Sequence, residues 1–559
     1  MHLYLKFLLS SSRRNLLVIV VLGAMSGFAG AGLIALVSEL FSKSESLNRD
    51  ELLRGSMALA LVVVLMVVLD ILARYLLTSH TAQIHRDLHF NFAQQILARR
   101  LRDIEKIGVA RLITIYTEDM AMVGAASLSI AGVGTSIFVV IGCLGYLLWI
   151  SPGMLVSVLL VIITASFAYK AMHEHSINLA RESMHQRDIH VNQFKSIVHG
   201  IKELKLNFER RKHYVRQEFF PTLEAHKIAH VRSSFIFSLG NAWTQIVYFG
   251  FMITALLYIV LTSESPAVLG PFLIVALFMR SYTTTIMNAI PVWSRAGVAL
   301  ERLSQDGFST IPLDGKLNKP ETQLVPEGEK LQLEVTDLMY SYRNESDDRN
   351  FTIGPLNLTL NSGELIFVVG HNGAGKTTFA KLLSGLFENE TGLIKCNGTA
   401  ITAELQSSYQ ELFSVIFTDP FIFEQLIISD EFLTSADGVN ARIDQYLEKL
   451  QINNKVTVNS NRLDSTDLSH GQRKRLALLM ASLENKQILI FDEWAENQDP
   501  AFKEVFYREL LPELRDSGKL VVVISHESQY FDVADRVITL KAPDSSTSIE
   551  SDIQTASKL

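Results

Sequence analysis

Apolar side chains gather into six long blocks, all before about residue 300, and the remainder of the chain is polar with short apolar runs. The blocks are Leu16–Leu36, Met57–Leu77, Ala131–Ile150, Met154–Met172, Trp243–Val260 and Leu269–Ile290. Each approaches the about 20 residues a helix needs to cross the hydrocarbon of a bilayer. Leu59–Leu69 and Ile137–Leu148 contain no charged residue, which favours lipid over a soluble core as their surroundings. Only Ser151, Pro152 and Gly153 separate the third and fourth blocks, so a tight hairpin is expected there.

Lys and Arg set the orientation. Lys6, Arg13 and Arg14 precede the first block with no acid among them. Arg86, Arg99, Arg100, Arg102, Lys106 and Arg111 lie between the second and third blocks, and Lys195, Lys202, Lys205, Arg210, Arg211 and Lys212 between the fourth and fifth. Thr262–Ala267 carries no Lys or Arg and one acid, Glu264. This pattern predicts a multi-pass membrane protein with both termini and the two long loops in the cytoplasm. The first block is longer than the roughly 7–15 apolar residues of a signal peptide and is expected to be retained. Both long loops have a helical pattern, so the helices are expected to continue far below the bilayer. Ile107–Met120, with Gly108, Glu118 and Asp119, and Gly200–Tyr214 are candidate contact points for a domain beneath it, the alternative being solvated basic helices.

The chain has 559 residues, 48% of them hydrophobic, and a mean hydropathy of +0.22. Its domains are read as a helical transmembrane domain over 1–303, a Pro-, Gly-, Asp- and Lys-rich linker over 304–329, a soluble domain over 330–541 and a Ser-, Thr- and Asp-rich tail over 542–559, expected to be disordered. In the soluble domain, Leu331–Val335, Leu365–Val369, Ile488–Phe491 and Leu520–Ile524 alternate with helical patterns, which predicts an α/β fold with a largely parallel sheet. The two cysteines, Cys143 and Cys396, fall in different domains, which argues against a disulfide or zinc framework. The net charge of −7 carries no nucleic-acid signal.

Candidate chemistry lies in the soluble domain. Leu365–Val369 runs into Gly370-His-Asn-Gly-Ala-Gly-Lys-Thr-Thr378 and then a helix. A strand feeding G-x-x-x-x-G-K-T turns consecutive backbone N–H groups inward around phosphate oxygens, and the helix N-terminus adds its partial positive charge. Gly370, Asn372, Gly373, Ala374, Gly375, Lys376, Thr377 and Thr378 are therefore candidate nucleotide-binding residues, with Lys376 reaching the β- and γ-phosphates and Thr377 able to ligate Mg²⁺. Ile488–Phe491 ends in Asp492 and Glu493. Asp492 is a candidate metal ligand. Glu493, one step along the pleat, is the candidate base that polarises an attacking water. Val521–Ile524 leads to Ser525 and His526, which is placed to sense the γ-phosphate.

Leu468-Ser-His-Gly-Gln472 resembles the L-S-G-G-Q signature of the ATP-binding-cassette (ABC) family, with His470 where the first glycine stands. Six spans followed by one such domain resemble a half-transporter of the exporter type. The resemblance implies ATP and Mg²⁺ as cofactors and a second identical subunit whose Ser469, Gly471 and Gln472 cap the ATP held by Lys376. Tyr342, or failing it Tyr340, resembles the aromatic residue that stacks on adenine. Thr418 and Asp419 stand where the family carries a glutamine near the metal and water. The run Phe491–Phe502 (FDEWAENQDPAF), in place of the usual S-A-L-D loop, and Gly200–Leu206 (GIKELKL) resemble the exporters of cyclic peptides and siderophores, the syringomycin, pyoverdine-precursor and microcin type. That implies ATP-driven export of a peptide siderophore precursor or a small cyclic or modified peptide. A broad lipid or multidrug exporter, a siderophore importer on an exporter scaffold and an ATP-gated channel are the alternatives.

Ionisable residues inside the blocks are costly in lipid and point to a cavity or a partner. Asp70 and Arg74 are four apart on one helical face and able to pair. Arg280, with Ser281–Thr285 (SYTTT), gives the sixth block a polar stripe.

Overall fold

The computed structural model describes residues 13–42, 49–262, 269–309, 323–326, 329–342, 351–427, 436–459, 461–465, 468–540 and 552–555. They form two compact units, Met1–Arg99 with Ile104–Asp314, and Arg100–Asp103 with Gly315–Leu559.

The first unit is helical. Its long helices are Arg13–Ser42, Arg49–Ala98, Met120–Ile150, Pro152–His199, Phe220–Thr262 and Leu269–Gln305. Among the described residues, five helical segments are long and apolar enough to cross a membrane, within Val21–Ser38, Arg49–Ala98, Val109–Ile150, Phe208–Tyr258 and Gly270–Gln305. The remaining expected span, Met154–Met172, lies on the helix Pro152–His199, and most of its side chains fall outside the described residues. At 50 and 48 residues, Arg49–Ala98 and Pro152–His199 extend about 75 and 72 Å. That is more than twice the hydrocarbon thickness, so the expected extensions exist. The hairpin forms as read: the Ser151 hydroxyl accepts from the Met154 N–H and Pro152 occupies the first helical turn, where its missing N–H is no loss.

The extensions turn through short helices, Leu101–Ile107, Val109–Thr114, Ile201–Leu206 and Phe208–His213. Gly108 has φ 79°, and Asn207 caps its helix by accepting from the Arg210 N–H. The acidic pair expected at a contact point is engaged within the helical unit. Asp119 is buried and pairs with Arg111 at 3.0 Å, and Glu118 pairs with Arg187 at 2.8 Å. Arg111 also binds Asp306 at 2.8 Å. The start of the expected linker thus belongs to this unit. Phe308 is buried beside Phe92, and Gln95 both accepts from and donates to the Ser309 backbone.

The second unit is built on two sheets. β1 (Gln332–Tyr342), β2 (Phe351–Asn361), β4 (Thr391–Cys396) and β5 (Thr399–Ala400) form an antiparallel sheet of order β2-β1-β4-β5. β3 (Leu365–Gly370), β6 (Phe413–Ile416), β9 (Ile488–Asp492), β10 (Leu520–Ile524) and β11 (Arg536–Leu540) are parallel, in the order β11-β3-β10-β9-β6. β9 and β10 are buried along their whole length, the state that near-continuous apolar runs predict for parallel strands. A short hairpin of β7 (Val458–Asn459) and β8 (Arg462–Leu463) lies apart. The tail departs from the expectation of disorder. Asp552–Thr555 forms β12, pairing antiparallel with β11. The edge of β11 offers unpaired backbone groups that a polar segment satisfies without apolar burial.

Candidate functional site

The tips of β3, β10 and β9 are neighbours, with Val521 opposite Leu365 and Ile524 opposite Asp492. Three segments distant in sequence therefore deliver their terminal residues to one end of the sheet, where parallel α/β sheets place ligands. Behind β3 the loop turns through Gly373 and Gly375 at φ 83° and 86°, the latter as the left-handed cap of the helix Lys376–Leu383. A side chain at Gly370 would put its Cβ 2.5 Å from the Leu540 carbonyl oxygen, so the spacing of these glycines is steric. Ala374 is buried, and Asn372 and Thr377 are exposed toward the loop's open side, with Thr378 half-buried. Lys376 is buried and folds over the loop, donating to the Gly370 and His371 carbonyls at 3.1 and 3.3 Å.

Thr377 Oγ1 donates to Asp492 Oδ2 at 2.8 Å. Asp492 is fully buried, and its Oδ1 has no hydrogen-bond partner. Burial pushes this carboxyl up, while the bond from Thr377, the Lys376 charge and the Thr418 hydroxyl pull it down. A buried, orphaned carboxylate oxygen beside a threonine hydroxyl is an oxygen donor set that suits Mg²⁺. Asp419, the other candidate ligand, has an exposed carboxylate that faces His470, with 3.7 Å between Oδ1 and Nδ1. Two of the departures from the family pattern thus meet each other.

Glu493 Oε1 lies 3.4 Å from His526 Nε2 and 3.6 Å from Lys376 Nζ. Strand alternation does not place it. The pleat ends at Asp492, and Glu493 takes φ 49° and ψ 37°, a left-handed turn. For a residue with a Cβ that conformation costs roughly 1–3 kcal/mol and persists only where neighbours fix it. Three bonds do so: its N–H donates to the Ile524 carbonyl at 3.1 Å, and its carbonyl accepts from Lys474 Nζ at 2.7 Å and from the Glu496 N–H at 3.3 Å. His526 sits in a turn capped by Ser525, whose hydroxyl accepts from the Glu527 N–H.

Lys474 escaped sequence analysis. It stands between Arg473 and Arg475, yet its side chain is fully buried. Burial lowers its ammonium's pKa, opposed by Glu496, Glu493 and Asp492. It belongs to the helix His470–Glu484, which Ser469 and Gln472 close with reciprocal side-chain bonds to each other's backbone. The unusual loop after Glu493 is shaped to this helix. Trp494 Nε1 donates to the Lys474 carbonyl, Gln498 Nε2 to the Gly471 carbonyl, and Arg475 Nε to Gln498 Oε1, at 2.8, 3.0 and 2.8 Å. A Cβ at Gly471 would meet the Asn497 carbonyl at 3.0 Å.

The adenine-side candidates fare differently. Tyr342 ends β1, and its side chain lies outside the described residues. Tyr340, the fallback, is buried and stacked on Phe387 with 5.1 Å between ring centroids, so its face is not available to a base.

A phosphate loop, a buried acid at a neighbouring strand tip and an apolar helical unit define an ATP-driven membrane transporter. The ABC transporter family model matches residues 353–496 and the ABC transporter transmembrane region matches residues 15–287; the chain belongs to the ABC transporters, as an exporter that binds ATP and couples its hydrolysis to transport. It is 28% identical over 468 residues to the ATP-binding protein SyrD of Pseudomonas syringae pv. syringae, covering 81% of each chain. It is 26% identical over 267 residues to the lactococcin-A transport/processing ATP-binding protein LcnC of Lactococcus lactis subsp. lactis, covering 46% of this chain and 35% of that one. A structure of a bacterial Atm1-family ABC exporter with ATP bound shares the fold, with a TM-score of 0.72, 16% identity and coverage of 95% and 94%. The fold is thus an all-α transmembrane domain fused to an α/β ABC nucleotide-binding domain.

Proposed function

We propose that two copies of this chain form an exporter that carries a small cyclic or modified peptide, or a peptide siderophore precursor, from the cytoplasm to the periplasm of a bacterium. The observation that carries this reading is the extent of the likeness to SyrD. At 468 residues it is longer than either compact unit, so it includes the helical unit, where cargo is handled. The likeness to LcnC, a lactococcin-A transport/processing protein, supports a peptide as cargo, as does the Phe491–Phe502 run.

In this reading ATP bound at Gly370–Thr378 brings its phosphates under Lys376, with Mg²⁺ held by Thr377 and Asp492 and approached by Thr418. Glu493 polarises the attacking water, and His526, 3.4 Å away, orients that carboxylate and senses the γ-phosphate. Ser469, Gly471 and Gln472 of the second copy close the site. ATP favours the closed dimer by its differential affinity for that state, and hydrolysis releases it. Both termini lie in the cytoplasm.

Inside-out vesicles test direction and cargo together. ATP is expected to drive a peptide siderophore precursor into the lumen, and Lys376→Ala to abolish this. Unchanged secretion of every candidate peptide in a deletion strain, with ATP-dependent accumulation of generic hydrophobic dyes in the vesicles, would replace this reading with a broad drug exporter.

A further inference from the structure

Two cavities in the helical unit meet at Asn288. One, about 450 Å³, lies among the helices Arg49–Ala98, Met120–Ile150 and Leu269–Gln305; Leu77, Leu128 and Val292 form an apolar part of its wall, and Arg74, Thr78 and Ser129 a polar part. The other, about 220 Å³, lies between the helices Phe220–Thr262 and Leu269–Gln305 and is lined by Gln245, Tyr248, Arg280 and Asn288. Their charges differ in one respect. Arg74 is neutralised by Asp70, Nε to Oδ2 at 2.8 Å. Arg280 has no carboxylate within ion-pair distance among the described residues; its guanidinium leans over the Tyr248 ring, 5.7 Å from the centroid. The Tyr248 hydroxyl is itself buried without a hydrogen-bond partner. The nearby threonines do not satisfy these groups with their protons, because Thr283 and Thr284 donate to the Met279 and Arg280 carbonyls of their own helix at 2.9 and 2.8 Å.

A guanidinium without a counter-ion is expensive at membrane depth, and such residues face a cavity and bind something. Here a fixed cation, an orphaned phenol and two amides converge on a space that opens beside a larger chamber with an apolar patch at Leu77, Leu128 and Val292. We propose that this pair of cavities is a binding site for an amphiphile with a free carboxylate. The carboxylate engages Arg280, with Tyr248, Gln245 and Asn288 as further donors, and the apolar portion packs on the patch at Leu77, Leu128 and Val292. Guanidinium recognises carboxylate through paired N–H donors, so the site selects for the acid over its neutral derivatives. This rests on the exporter reading only in taking the ligand to be cargo.

The test uses the full-length protein in nanodiscs of neutral phosphatidylcholine and a fluorescent octanoyl-pentapeptide, made as the free C-terminal acid and as the C-terminal amide. Equilibrium binding at pH 7.5 is measured for both. Wild-type protein is expected to bind the acid about tenfold or more tightly than the amide, the scale of one charge-assisted hydrogen-bonded contact. Arg280→Gln is expected to bring the ratio near one and Arg280→Lys to restore part of it. Tyr248→Phe, a milder change should Arg280→Gln fail to fold, is expected to reduce the ratio about threefold. Equal binding of acid and amide by the wild type, or an acid preference that survives Arg280→Gln, overturns the proposal. So does an Arg280-dependent loss of acid binding on adding phosphatidylglycerol at constant salt, which would assign the site to anionic lipid headgroups. Binding that prefers the acid in nanodiscs, without ATP-driven uptake of the same peptide into inside-out vesicles, leaves the site standing and counts against the export reading instead.

Discussion

The Lys474 ammonium donates to the backbone carbonyl of Glu493 at 2.7 Å. It ties the signature helix to the residue after the last β9 position, where the backbone turns left-handed at φ 49°. Replacing Lys474 by Met keeps much of the volume and removes the donor. The carbonyl keeps only the Glu496 N–H, and the strained conformation of Glu493 is less firmly held. Turnover of ATP is expected to fall about 10- to 100-fold, because a misplacement of about 1 Å at a reacting group costs that much. The KM for ATP is expected to change less than about threefold, since the phosphate loop is untouched. Steady-state ATPase kinetics on purified protein decide this, and an unaltered kcat would refute a positioning role for Lys474.

Glu493 itself is tested by Glu493→Gln. The amide keeps the shape and loses the base, so ATP binding is retained while turnover falls about 10²- to 10⁴-fold, the usual contribution of general-base catalysis. Trapped nucleotide, counted after rapid gel filtration, should accumulate. Near-normal hydrolysis would remove Glu493 from the reaction.

The capping role of Ser469 predicts complementation between chains. Ser469 closes its own helix with Gln472, which leaves its hydroxyl at the exposed N-terminal end of that helix. If it faces ATP bound to Lys376 of a second copy, mixing Lys376→Ala with Ser469→Arg chains yields dimers with one intact and one doubly broken site. Activity in purified mixed dimers should exceed that of either mutant alone. Isolating such dimers and finding no recovery would argue against capping in trans.

Asp492 predicts a trade between function and stability. Burial raises its folded-state pKa above the usual 3.8. Between 3.8 and the raised value the folded state holds a proton that the unfolded state has lost, so stability falls as pH rises through that window. Asp492→Asn carries no such ionisation. Without nucleotide, its nucleotide-binding unit should melt at a higher temperature than the wild type at pH 7.5, and the difference should shrink as the pH is lowered toward 4. Its ATPase activity should be lost. Calorimetry across pH checks the sign, and an Asn variant that melts lower at every pH would contradict it.

The parts read correctly from the sequence are those fixed over short distances along the chain. A block of about 20 apolar residues crosses a bilayer by length and composition alone. Gly370–Thr378 makes a phosphate loop because its glycines, its lysine and the helix that follows are contiguous. The Asp70–Arg74 pair forms because four residues are one turn of one helix. Glu493 was found in sequence but not its geometry, since a left-handed turn at a residue with a Cβ has no local signal. The burial of Lys474 has no local signal either: its neighbours along the chain are basic, and its neighbours in space are the acidic strand tip and the Trp494 indole. Only the tertiary structure turned Asp419 toward His470, buried Tyr340 against Phe387, paired Asp552–Thr555 with β11 and leaned Arg280 over the Tyr248 ring. Each of these depends on which distant groups share a small desolvated volume. The free energy there is set by the partners present, and no pattern along the chain specifies them.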